Sequence, residues 1–277
     1  MKSVTLPCGE KVPQLGLGTW KMGERAHARK EEIAAIQLAI DLGMTLIDTA
    51  EMYGEGGAEK VISEAISGRR DRLFIVSKVY PHNASRTNTP VACERSLRRL
   101  KVDTIDLYLL HWRGRPPLAE TMEAFQKLKA EGKIRHYGVS NLDTDEMQEL
   151  WNAPGGGACQ VNQVYYNPAQ RGIEFDLLPW LRQRRVPIMA YSPVDQARLA
   201  ADRKLAEIGK RHNATAAQVA LAWGMSRPDS IVIPKAVKPE HLRANRAAAD
   251  LALTPEDMAD IDRAFPPPKK KTSLGMT

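Results

Sequence analysis

The segment "IDLYLLHWRGRPPLAETMEAFQKLKAEGKIRHYGVS" (105–140) decides the fold. A nearly continuous apolar stretch, 105–111, is followed by an amphipathic stretch, 117–133, and by a second β-prone stretch, 136–140. The middle part opens with proline and closes at Gly132, as helices commonly begin and end. Two apolar strands joined by a helix predict a parallel pair, because parallel strands need a crossover and that crossover is right-handed.

The same alternation runs along the whole chain. The stretch "KEEIAAIQLAIDLG" (30–43) places Ile33, Ile36 and Ile40 on one helical face and ends in Gly43. With the two strands above, eight candidate strands result, the others being 15–19, 46–49, 73–78, 159–163, 187–192 and 230–235. Eight repeats favour an α/β fold of the (β/α)8 TIM-barrel type, typically about 250 residues, over a doubly wound sheet with a second domain.

No linker or shift in composition divides the sequence, so we expect one domain spanning 1–277. The first residues, "SVTLPCGEKVPQL" (3–15), resemble a β-hairpin with "CGE" at its turn. We expect this short N-terminal hairpin to cap the bottom of the barrel.

Composition excludes several classes of function. The net charge is +7, but the lysines and arginines are scattered and lack interleaved aromatics, so no nucleic-acid partner is predicted. There is neither an apolar run of roughly 18 residues nor a signal-like N-terminus. Three cysteines, Cys8, Cys93 and Cys159, match no metal-binding spacing, so we predict reduced thiols and no metal. A cytoplasmic monomer that acts on a small molecule is expected.

Polar residues stand where the predicted strands end. They are Asp48, Lys78, His111, Ser140 with Asn141, Gln163, Tyr191 with Ser192, and Lys235. Alone, Asp48 is explained as a helix cap, Lys78 as a rim lysine and His111 as a core histidine. In a barrel, however, the carboxyl ends of the strands form the active-site face. Burying Asp48 or Lys78 unpaired would be costly, so we expect them to meet.

This set of residues suits acid–base chemistry. Lys78 is expected to lower the pKa of the Tyr53 phenol, while Asp48 keeps Lys78 charged. His111 would hydrogen-bond a substrate oxygen, and Tyr53 would protonate a developing alkoxide. Glu51 lies between Asp48 and Tyr53, and the sequence does not decide whether its side chain faces solvent or substrate.

At this point the chain resembles the aldo-keto reductases, NADPH-dependent barrels that reduce aldehydes and ketones. The resemblance spans essentially the whole sequence and is strongest in "IDTAEMYG", "VSKVYP", "DLYLLHW", "GKIRHYGVSN" and "VIPKAVKPEHLRAN". It implies a catalytic tetrad of Asp48, Tyr53, Lys78 and His111. The stretches "VSKVYP" and "GIEFDLLPW" look like bacterial members that reduce small 2-oxoaldehydes such as methylglyoxal.

The resemblance also implies a cofactor site. Its residues are Gly18, Thr19, Trp20, Asp48, Ser140, Asn141, Gln163, Tyr191, Ser192, Pro193, Val194, Lys235, Ala236, Val237, Lys238, His241 and Asn245. Ser140, Asn141 and Gln163 would hold the carboxamide, Tyr191 would stack on the nicotinamide, and Lys235 with Asn245 would grip the adenosine end. Trp20, Tyr80 and Trp112 would line the substrate pocket.

Several positions depart from the family pattern. Ala236, His241 and Ala244 replace a hydroxyl, an arginine and an acidic residue that relatives carry around the 2′-phosphate. NADPH is therefore expected with weaker discrimination against NADH. The segment after "AYSP" and the C-terminal tail are short, which predicts an open pocket, broad substrate tolerance and fast cofactor release.

Two other functions stay open at the level of sequence. A Schiff-base lyase would use Lys78 or Lys235 as its nucleophile. A non-catalytic, nicotinamide-binding regulatory subunit would keep the fold without the reaction.

Overall fold

The computed structural model describes residues 1–277. Its strands are β1 (Ser3–Thr5), β2 (Lys11–Pro13), β3 (Leu17–Gly18), β4 (Leu46–Asp48), β5 (Phe74–Val79), β6 (Ile105–Leu110), β7 (Ile134–Ser140), β8 (Asn162–Tyr165), β9 (Ile188–Tyr191) and β10 (Ser230–Val232). Its α-helices are α1 (Arg29–Asp41), α2 (Gly57–Ala65), α3 (Asn88–Leu100), α4 (Leu118–Ala130), α5 (Thr144–Asn152), α6 (Leu177–Gln183), α7 (Arg203–Arg211), α8 (Ala216–Met225), α9 (Pro239–Ala248) and α10 (Pro255–Ala264).

Strands β3 to β10 form one parallel sheet in sequence order. The sheet closes on itself, because Leu15 pairs in parallel with Val232 and the Gly18 amide donates to the Pro234 carbonyl at 3.1 Å. Gly18 permits this approach, since a side-chain carbon there would lie 2.8 Å from the carbonyl oxygen of Ile233. The predicted (β/α)8 barrel is confirmed.

Helix boundaries follow the local sequence. α1 ends just before Gly43, whose φ of +89° stops the helix as the sequence predicted. α5 begins with a capping box, in which Asp143 accepts from the helix and Glu146 bonds back to the Asp143 amide at 3.0 Å. This cap fixes where α5 starts and thus the length of the loop between β7 and α5 at the barrel mouth.

Side-chain alternation explains how the barrel interior is filled. Along β5, Phe74 and Val76 point into an inner apolar cluster, and along β6 Leu107 and Leu109 do the same. Because strand side chains alternate with a period of two, the next inward position on β5 is Lys78. On β5 and β6 the inward residues are therefore apolar low in the barrel and polar at the mouth, at Lys78 and at His111 directly after β6.

The N-terminal hairpin plugs the other end, as predicted. β1 and β2 pair antiparallel, with Val4 opposite Val12, around a turn in which Gly9 has a φ of +91°. Val4, Leu6 and Val12 are buried and belong to the same apolar cluster as the inward residues of the strands. The hairpin therefore continues the barrel core rather than merely covering it.

None of the helices combines the length and apolar character that crossing a lipid bilayer requires.

The burial of the N-terminal hairpin generates a prediction about stability. Leu6→Ala removes a side chain that is 2 % exposed and leaves a cavity at the barrel floor, so the free energy of unfolding in urea should fall by about 2–5 kcal/mol. Lys11→Ala, an exposed change on the same hairpin, should stay within about 0.5 kcal/mol of the parent. An unchanged free energy for Leu6→Ala would mean that the hairpin lies outside the cooperative core.

Candidate active site

A cavity of about 620 Å³ opens at the carboxyl ends of the strands. Of the predicted site residues it is lined by Gly18, Trp20, Asp48, Tyr53, His111, Trp112, Ser140, Asn141, Gln163, Tyr191, Ser192, Pro193, Val194 and Lys235. Its size suits a small organic ligand or part of a larger one. The sequence thus identified most of the wall of this cavity.

A buried ion pair lies at the base of this cavity. The Lys78 Nζ lies 2.8 Å from both carboxylate oxygens of Asp48 and 2.7 Å from the Thr49 carbonyl, and Lys78 is fully buried. Burial lowers the pKa of Lys78 and raises that of Asp48, while the mutual attraction of the pair opposes both shifts. The predicted pairing of Asp48 with Lys78 is present.

Tyr53 stands over this pair on a short 3₁₀ segment, Tyr53–Gly56. Its hydroxyl is 3.4 Å from the Lys78 Nζ. Burial, reinforced by the negative charge of Asp48, holds the pKa of Tyr53 well above its ordinary value. The prediction that Lys78 lowers this pKa is therefore wrong for this structure, because three closer acceptors already engage the ammonium group. Tyr53 is a phenol at neutral pH.

His111 forms the third side of the site. Its ring lies edge-on to that of Tyr53, with centroids 5.8 Å apart. Burial, followed by the charge of Lys78, holds the pKa of His111 well below its ordinary value, so the imidazole is neutral. The Nδ1 atom is buried without a hydrogen-bond partner, which leaves Nε2 as the nitrogen able to serve a ligand.

The polar residues after the next strands are already linked to each other. Gln163 donates to Asp48 at 2.7 Å, and the Ser140 hydroxyl donates to the Gln163 carbonyl at 2.9 Å. The Tyr191 hydroxyl donates to the Asn141 side chain at 2.9 Å, and the Tyr191 ring stacks on the Tyr165 ring with 11° between the two ring planes. Tyr191 is therefore held as a fixed aromatic platform in the cavity wall.

A strained segment follows this platform. Ser192, Asp195, Gln196 and Ala197 all have φ between +47° and +77°, a conformation that costs non-glycine residues about 1–2 kcal/mol each. The buried Asp195 carboxylate, which accepts from the Tyr165 hydroxyl, helps to hold the segment. Gln196 and Ala197 line the cavity although the sequence did not identify them, since nothing in their residue types indicates a positive φ.

Of the residues predicted to line the substrate pocket, Trp20 and Trp112 do so. Tyr80 instead packs edge-on against Trp112, with centroids 5.2 Å apart, and is not among the residues of the cavity wall. Thr19 also has a structural contact, because its hydroxyl donates to the Asp48 carbonyl at 2.9 Å.

The remaining predicted cofactor residues lie beyond the cavity, on the segment that leads into α9 and within α9 itself. These are Ala236, Val237, Lys238, His241 and Asn245. Lys235, Lys238, His241 and Arg243 are exposed there, around the helix N-terminus. Backbone amides at such a terminus favour an anion.

The C-terminal tail corrects a prediction. The short tail was expected to leave the cavity open, but its residues Met276 and Thr277 lie in the cavity wall. The Lys271 ammonium lies 3.1 Å from Asp176 and 3.6 Å from Asp143, so ion pairs to two loops accompany the course of the tail across the barrel mouth. Sequence reasoning missed this contact because its partners belong to two distant loops.

Glu51 faces neither bulk solvent nor the cavity. Its side chain is 8 % exposed, and its Oε1 accepts from the Tyr80 amide at 2.8 Å and from the Asn83 side chain at 3.1 Å. Arg95 lies 3.7 Å from its other oxygen. Glu51 thus ties the loop that carries Tyr53 to the loop that supports Trp112.

The fold and this site define a (β/α)8 barrel with an acid–base site at the carboxyl ends of its strands. The sequence model of the Aldo/keto reductase family matches residues 14–265. The chain belongs to the aldo/keto reductase family.

Individual relatives agree with this assignment. The chain is 52% identical over 270 residues to the methylglyoxal reductase YeaE of Escherichia coli, covering 96% of this chain and 95% of that protein. It is 35% identical to the glyoxal reductase of Bacillus subtilis, covering 94% and 91%. A crystal structure of an aldo/keto reductase from Klebsiella pneumoniae in complex with NADP and acetate matches with a TM-score of 0.97 and 50% identity, covering 100% and 99%.

The position of Glu51 generates a prediction. Glu51→Ala leaves the Tyr80 amide and the Asn83 side chain without their acceptor, so the loop behind Trp112 should loosen. We expect KM for a small aldehyde to rise about five- to thirtyfold, the effect of roughly 1–2 kcal/mol, with a smaller change in kcat. Steady-state kinetics at saturating NADPH would measure this.

Glu55→Ala, an exposed acidic residue on the same loop, is the matched control and should leave both constants unchanged. Equal losses in kcat and in kcat/KM for Glu51→Ala would contradict a role confined to the substrate pocket.

Proposed function

We propose that this protein reduces small aldehydes, foremost 2-oxoaldehydes such as methylglyoxal, to alcohols with NADPH. The observation that carries the proposal is the arrangement of Tyr53 within the cavity: its hydroxyl lies 3.4 Å from an ammonium that is itself fixed by a buried carboxylate. A phenol so placed can give up its proton only when negative charge develops beside it.

The residues present fit a nicotinamide dinucleotide. The Tyr191 ring, stacked on Tyr165 and bonded to Asn141, offers a flat surface for an aromatic ring. At the adenosine end of the site, Lys235 and Lys238 are exposed beside the N-terminus of α9. Arg246, near the other end of this helix, is instead paired with Asp250 at 2.7 Å. Free cations at a helix N-terminus suit a phosphate, which supports NADPH over NADH.

When bound, the cofactor supplies a hydride to the carbonyl carbon. The protein supplies the proton: Tyr53 gives its hydroxyl hydrogen to the carbonyl oxygen as that oxygen becomes an alkoxide. The resulting phenolate is stabilised by Lys78, whose charge Asp48 maintains. Solvent then reprotonates Tyr53.

His111 orients the substrate in this scheme. The imidazole is neutral and its Nδ1 is enclosed, so in the proposed mechanism the tautomer with the proton on Nε2 donates to the carbonyl oxygen. A neutral donor polarises the carbonyl without competing with Tyr53 as the acid. Trp20 and Trp112 exclude water from the reacting centre.

The substrate class rests on the size and lining of the inner cavity and on the activities named for the two relatives. Two aromatic walls and the tail residues Met276 and Thr277 leave room for a small carbonyl compound next to the cofactor. The cytoplasmic location, the monomeric state and a role in detoxification stay predictions of the sequence.

A Schiff-base lyase that uses Lys78 finds little support, whereas Lys235, the other candidate nucleophile, is exposed and lines the cavity, so trapping of a substrate on it by borohydride would favour that alternative. Lys78 is fully buried and engaged by three oxygen acceptors, so its amino group has no open approach for a substrate carbonyl. A non-catalytic role would leave the costly burial of this ion pair without a purpose.

Tyr53→Phe tests the assignment of the acid. It removes only the hydroxyl, so NADPH binding, followed by quenching of tryptophan fluorescence, should be nearly intact, while kcat for methylglyoxal reduction should fall about 10²–10⁴-fold. Tyr80→Phe removes a hydroxyl outside the cavity wall and should retain activity. A Tyr53→Phe variant with parental kcat would refute this mechanism.

Lys238→Ala tests the phosphate contact. Removing an exposed cation beside the α9 N-terminus should weaken NADPH binding about tenfold and leave NADH binding unchanged, because only NADPH carries the 2′-phosphate. Equilibrium titration with both dinucleotides gives the ratio, and Lys269→Ala, an exposed lysine of the tail, is the control. Equal losses for both dinucleotides would place the phosphate elsewhere.

A further inference from the structure

A group of metal-ligating side chains lies at the end of the barrel opposite the cavity. Cys8 and Glu10 come from the turn of the N-terminal hairpin, and His136 comes from the start of β7. His136 precedes Ser140 by four residues of strand, about 13 Å. The two sites are therefore at opposite ends of the same strand.

The donor atoms of this group converge. The Cys8 Sγ lies 3.9 Å from the His136 Nε2, and the Glu10 Oε2 lies 2.6 Å from the same nitrogen. All three donor atoms fall within 4.8 Å of one another. Tetrahedral ligands of zinc, with bonds of about 2.0–2.3 Å, lie roughly 3.3–3.7 Å apart, so small rotations of Cys8 and Glu10 would complete the geometry.

The surroundings hold these donors in place. The Cys8 amide donates to the Gln160 side chain at 2.9 Å, and Arg135 holds the other Glu10 oxygen at 2.7 Å. His136 is fixed by its position in β7, where it pairs with Leu107 of β6. Cys8 is exposed, whereas Cys93 and Cys159 are buried, so an ion arriving from solvent meets this thiol.

We propose that Cys8, Glu10 and His136 form a binding site for a divalent zinc-class cation, completed by one water. Thiolate, imidazole and carboxylate are the ligand types that such ions select. When the cation binds, the thiol proton of Cys8 passes to solvent and the hydrogen bond between Glu10 and His136 breaks, while the neutral imidazole keeps its one proton on Nδ1 and turns the Nε2 lone pair to the cation. The thiolate and the carboxylate then balance its charge of +2.

A cation bound at this site would cross-link the N-terminal hairpin to the barrel. Two ligands stand on the hairpin and one on the barrel wall, so a bound cation links the plug to β7. His136 Nδ1 is buried without a hydrogen-bond partner, so the ring lacks the outer support that strengthens most zinc-bound histidines. We therefore expect micromolar rather than nanomolar affinity, and an effect on stability rather than on turnover.

Titration of the reduced, full-length protein with Zn²⁺ and with Co²⁺ tests the proposal. We expect one cation per chain, a thiolate-to-cobalt charge-transfer band and an increase in Tm on adding Zn²⁺. Cys8→Ser should abolish the band, and both Cys8→Ser and His136→Asn should weaken Zn²⁺ binding at least about tenfold. His27→Asn, a change of an exposed histidine away from the hairpin, should bind as the parent does.

Cys8→His keeps the proposal testable if a ligand variant binds poorly for other reasons. A histidine at this exposed turn supplies a new ligand, so Zn²⁺ binding should return without the thiolate band. Absence of saturable binding by the parent would overturn the proposal. Binding that is as tight in Cys8→Ser as in the parent would also overturn it, by showing that the ion is held elsewhere.

Discussion

The ion pair between Lys78 and Asp48 is the constraint on which the site depends. Lys78 is fully buried and the Asp48 side chain is 3% exposed, so removing either partner would leave an uncompensated charge in the barrel mouth. Replacing both with apolar residues would satisfy the fold equally well. The pair is thus better understood through the chemistry it enables than through stability.

That pair also decides how Tyr53 behaves. Lys78 has three hydrogens and four nearby acceptors, and the Tyr53 hydroxyl at 3.4 Å is the most distant of them. In the resting protein the ammonium therefore does little for the phenol, whose proton is retained. In the proposed reaction, the phenolate that Tyr53 leaves would become the strongest acceptor near Lys78, which could turn toward it with a small motion. Stabilisation arises late, where it favours the transition state rather than the ground state.

Much of this could be predicted from the sequence because the decisive patterns are local. The period of two along β5 puts Phe74, Val76 and Lys78 on one face, so the eight repeats that predict a barrel also predict which polar residues meet. The direction of the Tyr53 pKa could not be predicted, since it depends on burial and on how many acceptors compete for Lys78. The ion pairs of Lys271 and the contacts of Glu51 could not be predicted for a related reason: their partners are distant in sequence, and residue type alone does not reveal them.

The cluster of Cys8, Glu10 and His136 also could not be predicted from the sequence, because its members are distant along the chain. Metal sites are found in sequences by short ligand spacings, yet Glu10 and His136 are separated by 126 positions and meet only because the hairpin folds under the barrel. The two ends of β7 therefore serve different parts of the molecule. Ser140, at the carboxyl end, lies in the cavity wall, whereas His136, near the amino end, contacts the N-terminal hairpin. Because β7 is paired with β6 from Ile134 to Val139, a change at the hairpin end can alter how firmly the hairpin is held with little movement of the groups at the cavity.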